Sequence, residues 1–216
     1  TGARDATQPS ATLPEPRLTA ASHNADSSLR LWGRFGETSI VTGSAVLAAD
    51  GTSFGAVSGE VPRAAAEVFQ AENVGANQVL LRGSFTHVND VPRTALVRLD
   101  GSGAVDASFV PGTAFASTDT GRFAVQGDGR ILAHTGTALV RLEPSGAIDP
   151  SWTPLVYQPG DLALDRDGFG LIAARGVNNG LAATPVIRRL GSTGVLDSSF
   201  VVTHSGMIQD IVVQAS

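Results

Sequence analysis

A segment of twelve residues occurs three times in this chain, and it limits the fold more than any other feature. The copies are 98–109 (RLDGSGAVDASF), 141–152 (RLEPSGAIDPSW) and 189–200 (RLGSTGVLDSSF). All three share Arg-Leu, a Gly at the sixth position, an aliphatic residue, Asp, Ser and a final aromatic residue. With a weaker copy at 46–57, the shared glycines stand at 51, 103, 146 and 194, in steps of 52, 43 and 48 residues. Such a period predicts a repeat architecture in which each unit buries its surface against the next.

A second pattern lies between these copies. The segments 123–133 (FAVQGDGRILA) and 162–173 (LALDRDGFGLIA) each contain an apolar run, an Asp-Gly pair and another apolar run. This pattern predicts a hairpin whose Asp-Gly pair supplies positive φ angles. A looser copy, 67–81, turns around Gly75, and it predicts that 64–73 is partly a strand in spite of its helical propensity.

Each period therefore holds four short strands, which we call a to d in chain order. In 122–152 they are predicted near 123–126, 131–133, 138–142 and 147–152. Four antiparallel strands per period are typical of a propeller blade. The predicted fold is an all-β β-propeller of four-stranded antiparallel blades, with about four blades or an arc of a larger propeller.

The predicted blades are 28–61, 65–109, 122–152 and 161–200, followed by a closing strand at 208–214. The first blade has candidates for strands b, c and d but none for strand a. The closing strand is expected to complete it, within the chain or in a neighbouring subunit of a ring or filament. We therefore expect a homo-oligomer, or assembly with another chain.

Residues 1–27 are rich in Pro, Ala, Thr and Ser and have few large apolar side chains. Such a segment cannot bury enough surface to offset its ordering entropy, which predicts an N-terminal leader or linker, or else a segment that docks on another surface. Because the chain begins with Thr1, we expect it to have been processed or cut from a longer protein.

Composition excludes several classes of function. The formal charge of −5 argues against a nucleic-acid partner, which needs a basic face. No apolar stretch is long enough for a membrane helix, so membrane insertion is not expected. The absence of Cys and Lys excludes a disulfide scaffold, a Cys nucleophile and Schiff-base chemistry. No catalytic motif such as GxSxG is present, so no catalytic or cofactor-binding residue is assigned.

The repeat resembles the delta-60 repeat family of bacterial propeller-like proteins. The matching segments are 125–132 (VQGDGRIL), 81–89 (LRGSFTHVN) and the three Arg-Leu segments. The resemblance covers about residues 28–214 and is weak before residue 60. It implies a β-propeller that is secreted or exposed at the cell surface, and it supplies no catalytic residues.

The repeated charges have two interpretations. Arg98, Arg141 and Arg189 each precede an Asp by eight residues, at Asp106, Asp149 and Asp197. Folding the c–d hairpin about its turn sets each Arg opposite its Asp, as a cross-strand pair or turn bond. The alternative is a repeated ligand site, but a pair in every blade favours the structural interpretation.

Other candidate sites are few. Asp161, Asp165 and Asp167 resemble part of a calcium loop, although calcium needs 6–8 oxygens and only three carboxylates are at hand. The longer b–c and d–a loops are expected to form the recognition rim, because function favours irregular loops on a rigid scaffold. The candidate binding residues there are His87, Asn89, His134, Tyr157, Asn178 and Asn179.

These observations favour a non-enzymatic extracellular structural or binding module that self-assembles by exchange of its terminal strand. One alternative is an extracellular enzyme that acts on polysaccharides. Another is a calcium-dependent lectin that binds glycans. The enzyme alternative rests on what propellers in general can do rather than on residues of this chain. Trp152 stands in the repeated aromatic position and is expected in the core.

Overall fold

The computed structural model describes residues 17–23, 29–35, 41–47, 67–75, 78–118, 121–156, 161–165, 167–174, 186–203, 211 and 213. They form sixteen strands and no helix, so this part of the chain contains no helical segment able to cross a membrane. The chain divides into two compact units, Thr1–Asp106 and Ala107–Ser216. The predicted all-β fold with antiparallel sheets is confirmed.

The first unit contains eight strands in three antiparallel sheets, ordered β1-β2-β3, β4-β5-β8 and β6-β7. In the two larger sheets neighbouring strands follow one another in the chain, except that the β6-β7 hairpin lies between β5 and β8. Strands β1 and β4, which begin these sheets, pack against one another. The strands are β1 (Arg17–His23), β2 (Leu29–Phe35), β3 (Val41–Leu47), β4 (Val68–Val74), β5 (Gln78–Gly83), β6 (His87–Val88), β7 (Val91–Pro92) and β8 (Leu96–Leu99).

The second unit contains two four-stranded antiparallel sheets, ordered β9-β10-β11-β12 and β13-β14-β15-β16. Their first strands, β9 and β13, pack against one another, as β1 and β4 do in the first unit. The strands are β9 (Phe123–Val125), β10 (Ile131–His134), β11 (Ala138–Leu142), β12 (Leu155–Val156), β13 (Leu162–Leu164), β14 (Gly170–Ala174), β15 (Val186–Leu190) and β16 (Leu196–Thr203).

Each unit has its own apolar core. In the first, the side chains of β4, β5 and β8 form the core together with Phe85 and Val88. In the second, Leu132, Ile172, Leu190 and Trp152 pack between the two sheets. Every residue of β10, an interior strand of its sheet, is buried. This explains the continuous apolar runs in the sequence, and the predicted core position of Trp152 is confirmed.

One turn type recurs in the hairpins. At 126–130 the N–H of Gln126 donates to the carbonyl of Arg130, and the N–H of Gly129 donates back to Gln126. The hairpins that begin at Asp100, Glu143, Asp165 and Gly191 repeat this pattern. In all five hairpins the fourth residue is a glycine with a positive φ, between 78° and 89°, and no other described residue of these hairpins has one. The expectation that both residues of the Asp-Gly pair supply positive φ is therefore wrong, because this turn needs only one such residue before the second strand.

Two expectations about strands a and d are also wrong. Strand β1 lies within 1–27 and pairs along its length with β2, so the first sheet does have a strand in position a. Residues 147–152 contain no strand and make only a bridge from Leu142 to Ile148. There the N–H of Trp152 donates to the carbonyl of Asp149, which turns the chain, and the fourth strand of that sheet is β12, further on. By contrast, 64–73 does contribute to strand β4, as predicted.

Most of the predicted closing strand, 208–214, and the predicted strand near 54–61 lie outside the described residues. The limits of the four predicted blades, and of the leader that precedes them, stay predictions. So does the number of blades.

Candidate functional site

A buried ion pair in the copy 141–152 shows what the repeated charges do. Arg141 Nε donates to Asp149 Oδ2 at 2.7 Å across the hairpin that follows β11. Oδ1 of Asp149 accepts from the hydroxyl and the backbone N–H of Ser151 at 2.7 and 2.8 Å. These bonds, that of the Ser151 hydroxyl above all, lower the pKa of Asp149 to about 2. The pair is therefore ionised at neutral pH.

The other two copies have the same arrangement, which we call the Arg–Asp clamp. Arg98 Nε donates to Asp106 Oδ2 at 2.8 Å, and Arg189 Nη2 donates to Asp197 Oδ2 at 2.6 Å. The hydroxyl of Ser199, followed by the Arg189 guanidinium, lowers the pKa of Asp197 to about 2. The predicted pairing is confirmed in all three copies.

In the copies 141–152 and 189–200, the Arg side chain of the clamp also covers the aromatic residue at the end of the segment. The guanidinium carbon of Arg141 lies 4.7 Å from the ring centroid of Trp152, and that of Arg189 lies 5.2 Å from the ring of Phe200. Both distances are within the range of a cation–π interaction. The spacing that the copies share therefore brings the Arg, Asp and aromatic side chains together, and their contacts close the c–d hairpin.

In the second unit the clamp also joins one repeat to the next. Arg141 Nη1 donates to the carbonyl of Ser192, in the turn of the following copy, at 2.7 Å. The N–H of Thr153 donates to the carbonyl of Thr193 at 2.9 Å, and in the same way Val110 donates to Ser145 at 2.8 Å. Equivalent backbone groups thus form equivalent bonds one repeat apart.

The three candidate calcium ligands do not come together. Asp165 Oδ1 accepts from the N–H groups of Asp167 and Phe169, so it holds its own hairpin turn. Asp161 is buried and accepts from the N–H of Ile211. Within the described ranges, no three His, Asp or Glu side chains are grouped so that they could hold a metal ion.

The candidate binding residues of the loops lie in different environments. His87 is exposed in the β6–β7 hairpin, and the neighbouring Asn89 has a positive φ and donates to the carbonyl of Gly103. His134 was expected in a rim loop, and this is wrong. It is the last residue of β10 and is only 1% exposed. Tyr157, Asn178 and Asn179 lie outside the described residues.

The structure instead reveals a cavity between the two sheets of the second unit, on the side of the tight turns. It measures about 250 Å³. It is lined by the turns after β9, β13 and β15 and by the Arg–Asp clamp of 141–152. The side chains that line it include Gln126, Asp128, Arg130, Arg141, Trp152 and Phe169.

Sequence reasoning missed this cavity because it expected recognition on the longer loops. The lining residues come from three separate turns, of which the first and last, at Gln126 and Ser192, are more than 60 residues apart in the chain. One signal was present: Trp152 is the only Trp among the three copies of an aromatic position that is otherwise Phe.

Three comparisons place this fold among known proteins. A family model described as "Domain of unknown function (DUF5122) beta-propeller" matches residues 77–109. No curated protein sequence matches the chain. The resemblance to the delta-60 repeat family itself stays a prediction.

Several solved structures have a similar fold. A protein of unknown function from Bacteroides caccae gives a TM-score of 0.52 at 12% identity, over 87% of this chain and 61% of that one. A catalytically inactive virginiamycin B lyase from Staphylococcus aureus, solved with quinupristin, gives 0.53 at 12% identity, over 85% and 55%. The extracellular domain of a protein described as a one-component system from B. thetaiotaomicron gives 0.52 at 9% identity, over 88% and 25%.

These likenesses support a β-propeller-like fold. At such low identity they carry no function from those proteins to this chain. The chain spans 61%, 55% and 25% of the length of these three structures.

Proposed function

We propose that this chain is a non-enzymatic extracellular module with a structural or binding role, built from β-propeller-type repeats. The observation that carries the proposal is the Arg–Asp clamp. At Asp149 both carboxylate oxygens already accept hydrogen bonds within the repeat, as they do at Asp197. The polar residues that the sequence repeats are therefore used to hold hairpins and to join repeats, rather than to bind substrate.

The extracellular setting has separate support. One of the similar folds is an extracellular domain, and the resemblance of the repeat implies a secreted or surface protein. The chain has no Cys, so disulfide bonds give no evidence for or against an extracellular location. Fractionation of cells that express the natural gene tests this part: the proposal expects the protein in the medium or at the cell surface.

A screen for turnover tests the non-enzymatic role. The full chain is incubated with a panel of neutral and acidic polysaccharides, and new reducing ends and unsaturated products are measured. The proposal expects none above a heat-denatured control. The variant H87A/H134A/D161A/D165A removes four side chains that could act as a general acid or base, and its circular dichroism is compared with that of the native chain because His134 and Asp161 are buried. An activity of the native chain that this variant loses would replace the proposal by a polysaccharide-acting enzyme.

Self-assembly is part of the proposal, and β16 supports it best. Among the described strands β16 pairs only with β15, and its eight residues end the sheet. Val201 and Val202 on this strand are each 44% exposed. A long edge strand with exposed apolar side chains is a template for pairing with another chain, here a second copy. Because β1 already occupies position a of the first sheet, exchange of the terminal strand is not needed to fill that position.

The mass of the particle in solution tests the assembly. Light scattering of the full chain is expected to give a multiple of 22.1 kDa. The same measurement on a variant that lacks 208–216 distinguishes an interface at β16 from an interface at the C-terminal segment. An unchanged assembly assigns it to β16, whereas loss of assembly without loss of folding assigns it to the C-terminal segment. A monomer for the full chain would remove self-assembly from the proposal.

A further inference from the structure

The last of the three Arg–Asp clamps is less covered than the others. In the second copy of the segment, the Arg141 side chain is 9% exposed and that of Asp149 is 2% exposed. The first clamp is nearly as covered, at 13% and 12%. In the last copy, by contrast, Arg189 is 34% exposed and Asp197 is 24% exposed. Phe200, which ends this copy, is partly exposed, whereas the aromatic residues of the first two copies are buried.

The c–d turn of the last copy is what covers the second clamp. Arg141 Nη1 donates to the carbonyl of Ser192 at 2.7 Å, and the N–H of Thr153 donates to the carbonyl of Thr193 at 2.9 Å. Gly194 lies against the aromatic ring of the clamp, since a Cβ there would be 2.8 Å from a ring carbon. A docked turn thus contributes two carbonyl oxygens and a glycine, from the fourth, fifth and sixth positions of its copy.

The last clamp has the same two donors, and neither donates to another described residue. Arg189 uses Nε and Nη2 on its own Asp, while its Nη1 lies 3.9 Å from Asp165 Oδ2. Val201, like Thr153, follows the final aromatic residue of its copy. Pairs of an antiparallel ladder alternate, and the bond from the Asp165 N–H to the Phe169 carbonyl fixes this alternation from β13 to β16. The alternation directs the N–H of Val201 away from β15, to the open side of β16.

The c–d turn of the first copy is complementary to this surface. The carbonyls of Gly101 and Ser102 hold the fourth and fifth positions, and no described residue donates to them. Both residues are exposed, and Gly103 follows them with a φ of +86°. Asn89, in the β6–β7 hairpin, donates to the carbonyl of Gly103 at 3.0 Å and so holds the turn in place. The turn is therefore preformed for docking, which lowers the entropy cost of binding.

We propose that the c–d turn of the first copy docks on the exposed clamp of the last copy in a second molecule of this chain. The contact repeats the one between the second and last copies, with these pairs: Arg189 Nη1 and the Gly101 carbonyl, the Val201 N–H and the Ser102 carbonyl, and the Phe200 ring and Gly103. It is heterologous, so an open assembly keeps one free turn and one free clamp and grows into a ring or a filament. The inference rests on the proposed self-assembly and names its interface.

Single cysteines test the contact, because the chain has no Cys of its own. The variants S102C and V201C are mixed in equal amounts, concentrated and oxidised. We expect a disulfide between the two variants and none in either variant alone. The double variant T153C/T193C is the matched control: the equivalent backbone bond joins these positions within one molecule, which brings them near the Cα separation of a disulfide. It is expected to form its disulfide within the chain.

Light scattering of G103A gives a second test. A Cβ at this position would meet the Phe200 ring, as one at Gly194 would meet the ring of the second clamp. We expect G103A to raise the dissociation constant of the assembly by about tenfold or more, because it prevents two hydrogen bonds that are each worth about three- to tenfold. G168A is the matched control, since its φ is also positive, at +78°, and no atom lies within 4 Å of its Cβ. It is expected to assemble like the native chain.

Three results would overturn the inference. One is a disulfide in V201C alone with none to S102C, which would indicate pairing between two β16 strands. The others are closure of T153C/T193C without a cross-link in the mixture, and equal assembly of G103A and G168A. All three leave self-assembly itself intact. A full chain that is monomeric at every concentration instead removes self-assembly from the proposed function, and this interface with it. If G103A does not fold, the cross-link decides.

Discussion

The backbone N–H of Thr153 donates to the carbonyl of Thr193 at 2.9 Å, which joins the end of one repeat to the c–d turn of the next. The neighbouring Gly194 has a φ of +87°, and a Cβ there would lie 2.5 Å from the carbonyl oxygen of Thr153. The shared glycine of the repeat thus has two roles. It permits the turn, and it lets the preceding repeat approach.

The two roles can be separated by substitution. G168A introduces a Cβ where φ is +78° and no atom lies within 4 Å, so it adds backbone strain of about 1–2 kcal/mol. G194A adds a clash with the Thr153 carbonyl to a similar strain. We expect G194A to lower the free energy of unfolding by clearly more than G168A, measured by urea denaturation of both variants. Equal losses would show that the glycine serves the turn alone.

The Arg–Asp clamp of 141–152 is expected to be the most sensitive of the three, because Arg141 and Asp149 are both buried. D149A leaves a buried guanidinium without its carboxylate, at a cost of about 3–5 kcal/mol. D197A removes the equivalent group of a more exposed pair and should cost less. Denaturation curves of D149A and D197A test this order of stability losses, and a double variant R141L/D149L should recover part of the stability that D149A loses. A larger loss of stability for D197A than for D149A would contradict the prediction.

The same clamps predict how stability depends on pH. The pKa values of Asp149 and Asp197 are about 2 in the folded protein, below the usual 3.8. A carboxylate with a lowered pKa stabilises the fold above its unfolded pKa, and this stability is lost as the pH falls toward the folded value. We expect the free energy of unfolding to decrease between about pH 4 and pH 2. D149N should show a shallower decrease over this window, and an identical slope would contradict the prediction.

The features that sequence could predict are those that recur. Arg98 and Asp106 lie eight residues apart around a turn glycine, and strand geometry then fixes their pairing. The segment 64–73 has helical propensity, but it was correctly predicted to be partly a strand. The prediction was possible because the residues beside it repeat the hairpin pattern. Repetition adds evidence that local propensity alone lacks.

The features that sequence missed depend on contacts that are not repeated. The segment 147–152 was expected to be a strand, but the N–H of Trp152 donates to the carbonyl of Asp149 and turns the chain. Strand β1 was missed because the many prolines before it suggested a leader throughout 1–27. His134 was placed in a loop because the apolar run ends at Ala133, although pairing of the strand extends one residue further, to Leu139.

The cavity was beyond sequence reasoning for a different reason. Three turns line the cavity, and they approach one another only when the two sheets pack. A local sequence pattern does not predict that approach. Only the substitution of Trp for Phe at position 152 marked the place.

The exposed edge of β16 leads to a last prediction, on self-association. Val202 is 44% exposed on this strand, and a Lys at such an edge disfavours pairing with a second copy because it places a charge in the new interface. We expect V202K to shift the particle toward the monomer in light scattering, with little change in the thermal midpoint. V195K is the matched control: Val195 is 60% exposed but lies in the c–d turn, before β16 begins. Dissociation by V195K as well would show a general effect of charge, and assembly of V202K like the native chain would place the interface elsewhere.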